Sequence, residues 1–438
     1  MSSPHALLIE PFDGPLDVVV DLPGSKSITN RALVCAALAR GRSVLTNALH
    51  AEDTEAMVAG LAAMGVAIGA DWPAGRVEVE GCAGRPVADL ALVDARQSGT
   101  TSRFLLPVAG LGEGLRRVDG ANRLRERPMG EVLDALRVLG ASVHEVGALG
   151  HLPAELVGGS LEGGEVTVHG DVSSQFLSGL LLAAPAMPAG LVARLSGELV
   201  SRPYVELTEA VMRHFGVEVR RPDERTWAVP AQAYAAAELA VEPDASAASY
   251  AFALAVLVDG QVTVRGLGAG AQQGDLAFVD VLAQMGAAVE RGPSATTVRG
   301  TGTLHGVEVD LSQISDTAQT LAVVAAFAEG PTRVTGIGFI RGKETDRIAA
   351  VVAELQRLGA EAVEEPDGFV VHPRPLHGAT VRTYDDHRMA MSFALAGARV
   401  PGVRIADPDC VAKTFPGYWR LLDELRRPTG GSTMVHRS

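Results

Sequence analysis

One landmark recurs six times along the 438 residues: an apolar stretch, a glycine, then an alternating polar and apolar run. Its glycines are Gly41, Gly114, Gly190, Gly260, Gly330 and Gly402, spaced 73, 76, 70, 70 and 72 residues apart. A regular period means one supersecondary unit used repeatedly. A second landmark is a one-sided helix closed by Gly65, Gly140, Gly216, Gly286 or Gly359 just before a strand. Glycine is the usual residue there, because the chain leaves a helix through a left-handed turn. Segments 32–39, 104–111, 177–186, 249–258, 320–328 and 389–398 are apolar nearly all round, which predicts helices covered on every side. By contrast, Met129, Val132, Leu133, Leu136 and Leu139 make a single stripe. Each unit therefore reads strand, buried helix, strand, amphipathic helix, strand, strand. Six units predict an α/β protein of two domains, inside-out in build, with three βαβαββ units per domain, central helices buried and sheets outside. The Ala- and Pro-rich stretch 231–243 is the expected boundary. The sixth copy is weak, at 419–425, and the polar tail 428–438 is expected to be disordered.

What opens each buried helix is polar. Lys26, Gly99, Ser173, Asp244, Asp316 and His387 occupy one phase of the repeat, with steps of 73, 74, 71, 72 and 71. Ser, Thr and Asp are ordinary helix caps, and a cap alone accounts for Asp244. Capping does not account for Lys26, Arg31, Gln175, His387 or Arg388. In the stretch P-G-S-K-S-I-T-N-R at 23–31, a tight turn delivers Lys26 and Ser27 to a helix start. Its free N–H groups and positive dipole favour an anion there. It is not a Walker A loop, since Ser25 stands where that loop needs glycine before the lysine. Three such helix starts at one end of each domain, the two ends facing, would make an anion-attracting cleft between the domains. That cleft is the expected active site.

Net charge is −14, which argues against nucleic acid or an anionic membrane as the main partner. Residues 1–11 have neither a basic region nor an apolar core, so no signal peptide is read, and no apolar stretch reaches about 18 residues. Cys35, Cys82 and Cys410 are too few and scattered for a disulfide framework or zinc site; a reducing cytoplasm fits. Of 38 basic residues only Lys26, Lys343 and Lys413 are lysine. A composition that replaces Lys by Arg wherever it can leaves lysine where a compact ammonium or its titratable proton is needed.

Eight ordered motifs carry a resemblance over essentially the whole chain. They are P-G-S-K-S-x-T-N-R at 23–31, S-G-T at 98–100, R-x-R-E-R-P at 123–128, S-S-Q-F at 173–176, S-R-P-Y at 201–204, K-E-T-D-R at 343–347, D-H-R-M-A-M at 386–391 and K-T-F-P at 413–416. The chain resembles the 5-enolpyruvylshikimate-3-phosphate synthase family of enolpyruvyl transferases. That resemblance implies two domains of three βαβαββ units, 24–242 and 1–23 plus 243–427, with crossings near 23–24 and 242–243. It also implies the substrates phosphoenolpyruvate and shikimate 3-phosphate, and a monomer with no cofactor and no metal.

Carried over residue by residue, it implies that Asp316 and Glu344 are the acid/base carboxylates, with Lys26 and His387 as further catalytic groups. Lys26, Ser27, Arg31, Ser173, Ser174, Gln175, Ser201, Tyr204, Asp316 and Lys343 would hold shikimate 3-phosphate. Lys26, Gly99, Thr100, Arg123, Gln175, Arg347, Arg388 and Lys413 would hold phosphoenolpyruvate. Phe339 departs from the family, standing where many relatives carry Asn. Gln97 and Phe104 stand where relatives often have Asn and Pro. The nearest alternative is the UDP-N-acetylglucosamine enolpyruvyl transferase, which typically carries a reactive Cys in the loop corresponding to 116–127; that loop has none here. A non-catalytic anion-binding module on the same fold is the other, and the retained Asp316 and Glu344 argue against it.

Overall fold

The computed structural model describes residues 6–426 and 433–435. It divides into two compact units, Gly24–Val241 and Met1–Pro23 with Glu242–Ser438, and each has its own hydrophobic core.

In the unit 24–241 the repeat appears as three four-stranded sheets. Each runs in the order first, second, fourth, third strand, with the first pair parallel and the others antiparallel. One sheet is Leu90–Asp94, Leu115–Asp119, Ala154–Val157 and Ser142–Glu145. Another is Gly164–His169, Leu191–Ser196, Thr226–Val229 and Arg220–Asp223. The remaining sheet, Arg40–Thr46, Arg76–Cys82 and Ala67–Asp71, takes its first strand from Glu238–Ala240 at the far end of the unit. The strand that precedes its central helix in sequence, Asp17–Val20, pairs instead with Gln261–Arg265 in the other unit's sheet. Two copies of the repeat have thus exchanged their first strands, and the chain crosses between units at those two places. The crossings run side by side: the Asp244 N–H donates to the Pro23 carbonyl at 2.9 Å. At Gly24 a Cβ would lie 1.8 Å from the Asn47 carbonyl oxygen, so only glycine permits this passage.

The inside-out arrangement holds. The central helices are Lys26–Leu38, Gly99–Ala109 and Ser174–Ala183 in one unit, and Ala245–Leu257, Ala318–Ala325 and His387–Gly397 in the other. The three in each unit pack on one another. Every residue of Gly99–Ala109 and of His387–Gly397 is buried. Outer helices bury one face only: in Gly130–Val138, Val132, Leu133, Ala135 and Leu136 are inside while Asp134 is exposed. Their closing glycines 65, 140, 216, 286 and 359 all have φ between 80° and 108°, the left-handed exit the pattern predicts.

The weak sixth copy is a helix, Tyr418–Arg426, and its small sheet borrows the N-terminal strand Leu7–Leu8 beside Arg404–Ile405. Within the tail expected to be disordered, Thr433–Val435 pairs in parallel with Val18–Val20; the rest of 428–438 lies outside the described residues. Among the described residues no helix is long and apolar enough to cross a membrane.

Candidate active site

Five of the six helix openings carry a capping side chain. Ser25 accepts from the Ile28 N–H, Ser98 from Thr101, Ser173 from Gln175, Asp244 from Ala247 and Asp386 from Arg388. The exception is Asp316. It sits in a 3₁₀ turn, Ser315–Thr317, that leads into the helix, and its carboxylate turns to cations. Oδ1 accepts from Lys343 Nζ at 2.6 Å and from an Arg347 nitrogen at 3.3 Å; Oδ2 accepts from Arg388 at 2.6 Å. Arg388 also donates to the Asp316 carbonyl at 3.1 Å. Burial works to raise the Asp316 carboxyl, but Arg388, Lys343 and Arg347 together outweigh it and hold the group well below the usual carboxylate range. Lys343 is lowered, first by its own burial and then by the neighbouring guanidinium groups, although Asp316 opposes this.

Arg347 is the hub of this cluster and is 1% exposed. It grips Asp386 through two bonds, at 2.8 and 3.2 Å, and pairs with Glu344 at 2.9 Å. Burial would lower its pKa, but Asp386, Glu344 and Asp316 more than offset this and raise it. Capping and clamping fall to the same carboxylate, since Asp386 is fully buried at the start of the helix that carries His387 and Arg388. His387 is buried, with Nδ1 3.7 Å from Asp386 Oδ1. Lys413 is buried at the end of the turn Pro408–Lys413. Phe339, the departure noted above, lays its ring 5.6 Å from Lys343 Nζ.

The unit 24–241 holds its charges differently. Lys26, at the first position of its helix, pairs with Asp53 at 3.2 Å. Arg31, one turn on and 1% exposed, donates to Thr208 Oγ1 at 2.8 Å and to the carbonyls of Ser27 and Tyr204 at 2.9 Å each. It lies against the rings of Phe104 and Tyr204. With neutral acceptors only in these bonds, burial pulls its pKa down to about 10, against small opposing contributions from Tyr204 and Cys35. Gln175 is fixed from two sides: its carbonyl accepts from Arg103 at 2.8 Å and its amide donates to Thr100 at 3.2 Å. Ser174 and Ser201 are buried, and Ser201 takes a left-handed conformation with φ of 51°. At Gly99 an added Cβ would lie 2.8–3.0 Å from the Arg127 guanidinium. Arg123 stands half-exposed on the short helix Asn122–Arg125 and pairs with Glu126 at 2.8 Å.

Residues 13–422 match the family model described as EPSP synthase (3-phosphoshikimate 1-carboxyvinyltransferase). The chain belongs to the EPSP synthase family. A 3-phosphoshikimate 1-carboxyvinyltransferase of Nostoc punctiforme is 42% identical over 412 residues, covering 94% of this chain and 97% of the relative. One from Methanosphaerula palustris is 45% identical, covering 93% and 97%. Among solved structures, the EPSP synthase of Acinetobacter baumannii superposes with a TM-score of 0.80 at 26% identity, covering 96% of this chain and 97% of that one. The enolpyruvyl transferase NikO of Streptomyces tendae, at 20% identity and a TM-score of 0.76, shares the fold.

For a member of the EPSP synthase family the motif reading found most of the charged residues that cluster here, and missed their supports. Asp53 against Lys26 and Arg103 against Gln175 carry no signal beyond their residue type, whereas Arg127 behind Gly99 lies within the R-x-R-E-R-P motif. Asp386 did carry one, because it begins the D-H-R-M-A-M motif. Among the described residues no group of three His, Cys, Asp or Glu side chains is placed to hold a metal ion.

Proposed function

We propose that the chain transfers the enolpyruvyl group of phosphoenolpyruvate to the 5-hydroxyl of shikimate 3-phosphate, releasing phosphate, as a step of the shikimate pathway. The observation that carries this is the set of cations around Asp316 and Glu344, one of them a lysine in a chain that has three. A pure anion binder gains nothing from carboxylates among its cations, whereas an addition–elimination needs both.

In this reading Glu344 protonates C3 of phosphoenolpyruvate, which makes C2 electrophilic. The 5-hydroxyl oxygen bonds to C2 and gives its proton to Asp316 or Lys26. The tetrahedral adduct then expels phosphate as its C–O bond breaks, and the C3 proton returns to Glu344. Arg347 and Arg388 take the carboxylate of phosphoenolpyruvate; Lys26, Gly99, Thr100, Arg123, Gln175 and Lys413 take its phosphate end. Ser27, Arg31, Ser173, Ser174, Ser201, Tyr204 and Lys343 take shikimate 3-phosphate, and His387 supports Arg388 from the adjacent position.

Binding itself prepares the acid and the base. A substrate carboxylate that engages Arg347 and Arg388 competes with Glu344 and Asp316 for them. Asp316, which these cations hold low, then moves upward in pKa toward the range where it exchanges protons, and Glu344 is released from its ion pair. Both sets of residues come from one chain, which supports action as a monomer, and three free cysteines support a reducing cytoplasm.

The test is phosphate release assayed with each substrate alone and with both. Release only with both is expected. Release with UDP-N-acetylglucosamine as the acceptor would move the chain to the alternative transferase.

A further inference from the structure

We propose that the Tyr250 hydroxyl is a further substrate contact, donating a hydrogen bond to the phosphoenolpyruvate carboxylate that Arg347 and Arg388 hold. This rests on the function proposed above. Tyr250 lies on the central helix Ala245–Leu257, which packs against both the turn carrying Asp316 and the helix carrying Arg388. The residue is 4% exposed, and its hydroxyl has no hydrogen-bond partner among the described residues. A buried hydroxyl without a partner is costly, and native proteins keep few. A phenylalanine would fill the same space without that cost.

The ring packs on a neighbour that is itself held in place. It meets Tyr418 edge-on, with centroids 5.5 Å apart and planes at 71°. Tyr418 is itself tied, donating to the Met391 carbonyl at 2.6 Å, and it packs on Phe415 of the K-T-F-P motif. The charged groups that act on the hydroxyl are Arg388 and Arg347, then Asp386 and Asp316. Burial pushes it up to about 12, so it stays protonated and can only serve an anion as a donor at neutral pH. The two protein carboxylates nearby are already engaged, Asp386 by Arg347 and Asp316 by Lys343 and Arg388, and Tyr250 bonds to neither. What the position lacks is the acceptor that two guanidinium groups recruit: a carboxylate that arrives with the substrate.

The test is Tyr250→Phe beside Tyr418→Phe, assayed for phosphate release with both substrates and for thermal melting. Tyr250→Phe is expected to raise KM for phosphoenolpyruvate about tenfold, leave KM for shikimate 3-phosphate within twofold, and leave the melting temperature unchanged or higher. Tyr418→Phe, which removes a satisfied hydroxyl, is expected to lower the melting temperature and leave both KM values in place. An unchanged KM for phosphoenolpyruvate in Tyr250→Phe overturns the assignment, whatever the melting temperature does. A wild-type chain that releases no phosphate from this substrate pair overturns the proposed reaction instead, so the two failures are distinguishable.

Discussion

Arg31 and Arg347 are both buried to 1% exposure, one in each unit, and both sit near the start of a helix. Their surroundings have opposite sense. Arg347 faces Asp386, Glu344 and Asp316, and its proton is held more tightly than in water. Arg31 bonds to two carbonyls and a hydroxyl, and its pKa falls to about 10. A desolvated cation with neutral partners is an unfinished ion pair, completed by an anion from outside. A cation among carboxylates is already neutralised, and its value is in what it imposes on them. The difference teaches a division of labour: Arg31 can take a charged substrate outright, whereas Arg347 takes one only by loosening its own carboxylates, and so couples binding to the state of Asp316 and Glu344.

The largest test of that division is Asp316→Asn. Loss of the carboxylate should cut turnover by about a thousandfold, the scale of a lost acid/base group, with phosphate release as the readout. The same variant tests the pH sign. The folded pKa of Asp316 lies below its unfolded value of ~3.9, so its stabilisation is complete above that value and is lost as pH falls through the folded one. The melting-temperature gap between wild type and Asp316→Asn should therefore be constant from pH 8 to about 5 and close on further acidification. A gap that instead widens in acid would mean the carboxyl is protonated in the fold.

Next comes Asp386→Ala. It strips the bidentate partner from a fully buried guanidinium and should cost ~3–5 kcal/mol in denaturant unfolding. A loss below ~1 kcal/mol would show that Arg347 is not held by this clamp, and the contrast with Arg31 would dissolve.

Lys26→Arg should lower turnover by roughly a hundredfold with the fold intact, because a planar guanidinium displaces the anions by about 1 Å. Lys413→Arg should lose less, chiefly in KM for phosphoenolpyruvate. Arg137→Lys, on an outer helix, should change neither rate nor stability beyond ~0.5 kcal/mol. Near-normal turnover in Lys26→Arg would make the three surviving lysines an accident of codon drift.

The last test concerns Arg31 alone. Inorganic phosphate at ten times its Kd should stabilise the wild-type chain by ~1.4 kcal/mol, and Arg31→Met should lose most of that increment in a thermal-shift titration. An undiminished increment would place the principal anion seat elsewhere.

The period of the chain, its buried and one-sided helices and its glycine exits were legible because each depends on neighbours three to five residues away. The same locality made the helix openings visible at 26, 99, 173, 244, 316 and 387. It could not tell a cap from a charged site: Asp244 and Asp316 share residue type and phase, yet one caps its helix and the other meets Lys343, Arg347 and Arg388. That choice was made by segments 27 to 72 residues further along the chain, which no local pattern reports.

The exchange of Asp17–Val20 for Glu238–Ala240 was decided the same way, since a strand's alternation says which face is inside and not which partner it joins. The sequence by itself determined the unit, its sixfold use and the residue types of the site. Only the tertiary structure decided which copies traded strands, which carboxylate stayed unspent on capping, and that Arg31 is buried on neutral partners. The reason is physical: caps and periodicity are satisfied within a few residues, whereas desolvation and ion pairing depend on what the whole fold brings together.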